Sequence, residues 1–168
     1  MSEHPRVFTV GITGASGAFG RAIAELFAQE GADLVISDID EFGLQETART
    51  VSMTGREVLA LNCDVTKRSS VEFLIDQTIN HFGRFTTMIA NAGVAQTAPF
   101  LEMTDEDWSR VISVNITGVF LCDQIAAQRL VACGDGGNCV GVGAGVANAS
   151  STWARAVSAR SKAASVRL

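Results

Sequence analysis

Short apolar runs alternate along the chain with longer stretches whose apolar residues recur at helical spacing. Val7-Phe8-Thr9-Val10-Gly11-Ile12-Thr13 is rich in strand formers and ends in a glycine cluster, as a strand buried on both faces does. Over 19–30, Ile23, Leu26 and Phe27 mark one face of a helix, and Gly31 stops it. Leu34-Val35-Ile36 predicts a second strand that ends at Ser37-Asp38, and a helix follows over 41–53. Val58-Leu59-Ala60-Leu61 predicts a third strand. Ser69 or Ser70 is placed to cap the next helix, whose stripe is Val71, Leu74, Ile75 and Ile79 and whose stop is Gly83. Thr87-Met88-Ile89-Ala90 is the fourth strand. Thr104-Asp105-Glu106-Asp107 is a helix start with carboxylates at the positive end of the dipole, and the helix is predicted over 108–132. A turn through Gly134-Asp135-Gly136-Gly137 leads to a fifth strand over 138–142, and a last helix is expected over 154–166.

Strands that alternate with helices imply a parallel sheet covered on both faces. Because crossovers are right-handed, the fold class expected is α/β, a doubly wound sheet of about five strands. No repeat divides the chain, so 1–168 is read as one domain. With 168 residues, 47% hydrophobic and 18% charged, the chain has enough apolar material for a real core. A net charge of −5 with no basic tract argues against nucleic acid as a partner. No apolar run approaches the roughly 20 residues of a membrane span, and the polar start is unlike a secretory leader. A cytoplasmic protein with no membrane partner is therefore expected. Cys63, Cys122, Cys133 and Cys139 lack metal spacing and read as buried thiols, and with only His4 and His81 no metal site is expected.

The chemistry is concentrated after the first strand, at Thr13-Gly14-Ala15-Ser16-Gly17-Ala18-Phe19-Gly20. Glycine serves there to turn sharply, to let backbone approach a pyrophosphate and to pack helix on strand. The helix start then offers free N–H groups to the anion. Thr13, Gly14, Ser16, Gly17, Phe19 and Gly20 are the candidate contacts. Asp38, at the end of the second strand, stands where an acid that accepts the ribose hydroxyls belongs; the alternative is a solvated turn residue. A carboxylate there repels a 2′-phosphate, and Ile39 follows it where a basic residue could have favoured NADP. NAD is therefore expected in preference to NADP.

These residues, with several downstream, resemble the short-chain dehydrogenase/reductase family from Val7 to about Ala164. The resemblance implies that Asp64 of Cys63-Asp64-Val65 contacts the adenine ring, and that Asn91-Ala92-Gly93 supports the sheet beside the cofactor. It implies further that Asn115, in Val114-Asn115-Ile116-Thr117-Gly118, positions a water for proton relay. Lys162, in Ser161-Lys162-Ala163-Ala164, would hold the nicotinamide ribose. Each has a plainer reading: Asp64 capping a turn, Asn91 satisfying backbone in a turn, Asn115 bonding a carbonyl of its own helix, Lys162 as an exposed helix lysine. The family also implies a nicotinamide dinucleotide, a small alcohol or ketone substrate, and a homo-oligomer through the helices over 108–132 and 154–166.

The chain departs from the family in four places. Gly14, Gly17 and Gly20 have the spacing of the family's extended branch, with Ala18 where the single-domain members place a glycine. The catalytic Tyr position is Ser158, and the chain contains no Tyr at all. The catalytic Ser position is Ala144, and Ser150 or Ser151 would serve in its place only if the loop ran differently. The last residue, Leu168, comes before further family helices and two strands, so a domain incomplete at its C-terminus is expected, with the fifth strand as an open edge. A phenol beside an ammonium exchanges a proton near neutral pH, and an aliphatic hydroxyl does not. The expected function is an oxidoreductase scaffold that binds NAD(H), with hydride transfer as its ancestral reaction. The alternatives are a non-catalytic NAD sensor or interaction module, or a truncated inactive product.

Overall fold

Thr9–Thr13 carries alternating β-branched residues with no charge, and all five residues are buried. A strand of that kind needs a partner on each side, and it has them. In the computed structural model, which describes residues 8–95, 98–134, 136–142 and the backbone of 165–167, this strand, β1, lies between two parallel neighbours. They are β2 (Asp33–Asp38) and β4 (Thr87–Ala90). The sheet is completed by β3 (Val58–Asn62), β5 (Asn138–Gly141) and β6 (Ser165–Arg167), in the order β3-β2-β1-β4-β5-β6. The first five strands are parallel and β6 is antiparallel to β5. This is the doubly wound α/β sheet, and the strand order reverses between β1 and β4.

Helices α1 (Ala18–Gln29) and α2 (Glu41–Ser52) cover one face. Their buried Ala24, Ala28, Leu44 and Val51 meet Val10, Ile12, Leu34, Ile36 and Ile89 of the sheet. Helices α3 (Arg68–Phe82) and α5 (Val119–Cys133) cover the other. There Val71, Leu74, Ile75, Leu121, Ile125 and Leu130 close over Val35, Met88 and Cys139. Each of these large side chains, removed from water, contributes roughly 1.5–3 kcal/mol.

Several expectations change in detail. Neither Ser69 nor Ser70 caps α3, which begins at Arg68 after Lys67. The Ser70 hydroxyl instead accepts the Asp64 N–H (3.1 Å), so it ties the loop after β3 to the helix. The helix expected over 108–132 starts earlier, at α4 (Asp105–Ile112). There Thr104 and Asp107 form a reciprocal capping box that satisfies the first N–H groups. It then widens into one π-helical stretch, Ser113–Gly118, before α5. By length and composition alone the run Asp105–Cys133 could cross a membrane, contrary to the reading of the sequence. Here its Leu121, Cys122, Ile125, Ala126 and Leu130 are buried against the sheet. Cys133 is exposed, while the other three thiols are buried.

The end of the helix expected over 154–166 is the short strand β6. It pairs Asn138 with Arg167, Cys139 with Val166 and Val140 with Ser165. The main-chain groups on that side of β5 thereby gain partners, so β5 is not the open edge the sequence suggested. Residues 154–164 lie outside the described part.

Candidate cofactor site

The reversal of strand order between β1 and β4 opens a crevice at their C-terminal ends, where ligands of such sheets bind. Two loops line it. The first follows β1. Gly14 has φ +70°, and a Cβ there would lie 2.7 Å from the Ala92 Cα. Gly20 packs against the Gly14 carbonyl and the Ala15 Cα so closely that no side chain fits. Gly17 differs: the nearest atom to a Cβ built on it is 3.6 Å away, so the space beside it is open. It is the N-cap of α1, which no side chain caps and whose first turn holds no acid. Free N–H groups, a positive dipole end and open space fit a pyrophosphate. Ala18 and Phe19 in that turn are exposed, Phe19 by 82%.

The second loop follows β4. Asn91 donates through Nδ2 to the carbonyls of Thr13 (2.9 Å) and Gly14 (3.2 Å). The Thr13 hydroxyl accepts the N–H groups of both Asn91 (3.1 Å) and Ala92 (3.0 Å). These four bonds fasten the two loops together at the reversal point. Gly93 beside them is exposed.

Asp38 is drawn into the first loop. Its Oδ2 accepts the Ser16 N–H and its Oδ1 accepts the Asp40 N–H, each at 3.0 Å. Both oxygens keep a lone pair for a ribose hydroxyl. The carboxylate is thus a fixed part of the crevice wall, not a loose turn residue. Asp64 accepts the N–H (3.0 Å) and hydroxyl (2.7 Å) of Thr66 and pairs with Lys67 (3.1 Å). The Thr66 hydroxyl bond is the main reason its carboxyl titrates below the usual range. This is the turn-capping geometry. Val65 is buried, and its side chain meets the Cα of Gly118, where a Cβ would come within 2.8 Å.

Asn115 lies in the π-helical stretch and makes a reciprocal pair with Val94: Oδ1 accepts the Val94 N–H and Nδ2 donates to the Val94 carbonyl, both at 2.9 Å. It does not bond a carbonyl of its own helix, because the widened turn aims it at the loop after β4. Ala144, Ser158 and Lys162 lie outside the described residues. Among the described residues, no group of three or more His, Cys, Asp or Glu side chains could hold a metal ion.

Two residues at or near the site left no signal in the sequence. Thr47 on α2 is fully buried and its hydroxyl reaches the Ala15 carbonyl at 2.8 Å. Asp123 on α5 faces β5, its Oδ2 lying 3.7 Å from a Cβ built on Gly141, and its buried Oδ1 has no hydrogen-bond partner among the described residues.

A glycine-lined crevice at the point of strand reversal, an uncapped helix start and an acid at the end of β2 define a doubly wound domain of the dinucleotide-binding type. The family model described as short chain dehydrogenase matches residues 9–168, and the chain belongs to the short-chain dehydrogenase/reductase family. It is 39% identical over 126 residues to a cis-4-hydroxycyclohexanecarboxylate dehydrogenase from Sinomonas cyclohexanicum, covering 74% of this chain and 50% of that protein. A crystal structure of a short chain dehydrogenase/reductase from Burkholderia phymatum in complex with NAD superposes with a TM-score of 0.84. It is 30% identical and covers 92% of this chain and 56% of that one. An NAD+-bound xylitol dehydrogenase gives a TM-score of 0.83 at 27% identity, covering 92% and 60%. The chain spans about half the length of the curated relatives it matches.

Proposed function

We propose that the chain binds NAD(H) in preference to NADP(H), with Asp38 reading the adenosine ribose. Asp38 carries this reading because its carboxylate is anchored by the Ser16 N–H beside the uncapped start of α1. A 2′-phosphate would place two negative groups together, and the residue after the acid is Ile39 rather than a cation. Titration of intrinsic fluorescence with NADH and NADPH tests this. The wild-type chain is expected to bind NADH more tightly. Asp38→Ala is expected to weaken NADH by roughly tenfold or more, the scale of hydrogen bonds to a charged group, and to erase the preference. An unchanged preference in Asp38→Ala would refute it.

As a whole the protein is an oxidoreductase scaffold whose family reaction is hydride transfer between a nicotinamide and a small alcohol or ketone. When bound, the nicotinamide supplies or accepts the hydride. Asn115, held by both polar groups of Val94, is positioned to orient a water, and Lys162 is assigned to the nicotinamide ribose. With Ala at 144 and Ser at 158, no phenol exchanges the substrate proton and no hydroxyl at 144 polarises its oxygen. Negligible alcohol oxidation is expected in an NADH-absorbance assay. Ser158→Tyr combined with Ala144→Ser is expected to raise it measurably. Robust turnover by the wild type would overturn this assignment.

The complete absence of tyrosine beside an intact cofactor cradle favours a second role, a dinucleotide sensor or interaction module. Trp108, Ile116 and Phe120 recur every fourth or eighth position along Asp105–Cys133 and are about half exposed, which suits association with a second copy through that helix.

A further inference from the structure

The Ala15–Ser16 peptide is held at both its polar atoms, and the N–H of Ala15, from the peptide before it, is held as well. The Ala15 N–H donates to the Ser37 carbonyl (3.1 Å), the Ala15 carbonyl accepts the Thr47 hydroxyl (2.8 Å), and the Ser16 N–H donates to Asp38 Oδ2 (3.0 Å). Rotating this peptide would break the Thr47 and Asp38 bonds together, since its C=O and N–H point in opposite directions. Thr47 is therefore the counterweight to Asp38 across one rigid plane. Its hydroxyl has a single proton, and the Ala15 oxygen is nearer than the Gly43 carbonyl of its own helix (3.1 Å). A lone pair remains to accept Arg21 Nε–H (3.3 Å), whose guanidinium also pairs with Glu46.

Close approach of α2 makes this reach possible. A Cβ on Gly43 would lie 2.8 Å from the Ser16 Cβ and 2.6 Å from Asp40 Oδ2, so only glycine there lets the helix sit against the loop. Asp40 caps the same helix through the Gly43 N–H (3.3 Å), and its own N–H goes to Asp38 Oδ1. Both oxygens of Asp38 are thus oriented by backbone that α2 holds in place.

We propose that Thr47 is a positioning residue for cofactor choice: its buried hydroxyl fixes the Ala15–Ser16 peptide and, through it, the angle at which Asp38 meets the adenosine ribose. The inference rests on the NAD(H) reading above. Thr47→Val keeps the shape and removes the hydroxyl; Thr47→Ser keeps the hydroxyl and removes a methyl. Thr47→Val is expected to bind NADH about tenfold more weakly while NADPH changes little, so the preference collapses. Thr47→Ser is expected to restore the preference. Gly43→Ala, which displaces α2 with the hydroxyl still present, is expected to lose it as Thr47→Val does, and it decides the question if Thr47→Val melts before binding is read. A wild-type preference retained in Thr47→Val, or in a folded Gly43→Ala, overturns this inference alone, as does an equal loss of both cofactors. A wild-type chain that binds neither dinucleotide overturns the cofactor reading and this inference with it.

Discussion

Gly20→Ala is expected to abolish cofactor binding and to destabilise the chain by about 3–5 kcal/mol, the severe end for a single substitution that overpacks against backbone. The added methyl has nowhere to go. It would overlap the Gly14 carbonyl oxygen and come within 2.8 Å of the Ala15 Cα, and both are backbone. Neither can retreat, because Gly14 is backed by Ala92 and Asn91 and Ala15 is pinned by Ser37 and Thr47. Gly17→Ala is the control. Its backbone is extended (φ −74°, ψ 159°), and the nearest atom to its Cβ is 3.6 Å away. Its fold should lose less than about 1 kcal/mol, the scale of an N-cap change. The methyl would nevertheless fill the space proposed for the pyrophosphate, so NADH binding should fail in a protein that melts almost normally. Melting curves and NADH titrations of the two variants, side by side, check both statements. A Gly20→Ala protein with wild-type melting would mean the turn is looser than its geometry.

Asp123→Asn is expected to make the protein more stable at pH 7.5 and to leave it unchanged near pH 4. Burial against β5 pushes the Asp123 carboxyl up to about 6, and its Oδ1 finds no partner among the described residues. In the unfolded chain an aspartate titrates near 3.9. The folded state therefore holds its proton over a window from about pH 4 to about pH 6, where the unfolded state has released it. Stability from this group is complete below about pH 4 and is lost as pH rises through 6. Above that, the folded protein carries an ionised carboxylate in a poorly solvated place. For a fully enclosed carboxyl, a rise of that size corresponds to roughly 3 kcal/mol. The side chain retains partial access to solvent, so about 1 kcal/mol is the expected gain for the neutral, isosteric amide. Denaturant melts at pH 4 and pH 7.5 measure it. Equal stability of the two proteins at both values would show that Asp123 is better solvated than its position implies.

The parts of this molecule that could be read from sequence are those whose cause is local. Gly31, Gly83 and Gly134 take positive φ at or just past helix ends, and Thr104 with Asp107 closes a capping box, because each needs only its neighbours. The glycine loop and Asp38 were legible for a related reason: the strand-loop-helix grammar of a nucleotide cradle is written over a short span. Thr47 was not legible, since a threonine in the middle of an amphipathic helix means nothing until the fold brings it beside Ala15. Asp123 was silent in the same way, and so was the exchange of Ser70 from helix cap to loop tie. The π-helical stretch escaped because one added residue in a turn barely disturbs an apolar period. The short strand β6 escaped because its alanine- and serine-rich surroundings favour a helix, and only the unpaired side of β5 gives Ser165–Arg167 a reason to extend.

The central place of β1 has a consequence for how the chain is made. Of the described strands it is made before the others, and it pairs with β2 some two dozen residues later. Its other side waits for β4, since Val10 meets Thr87. Through all the intervening synthesis, Thr9–Thr13 presents an uncharged row of free main-chain groups with no proline to blunt it. A strand buried on both sides in the described sheet thus keeps one side open to wrong partners until β4 has been made.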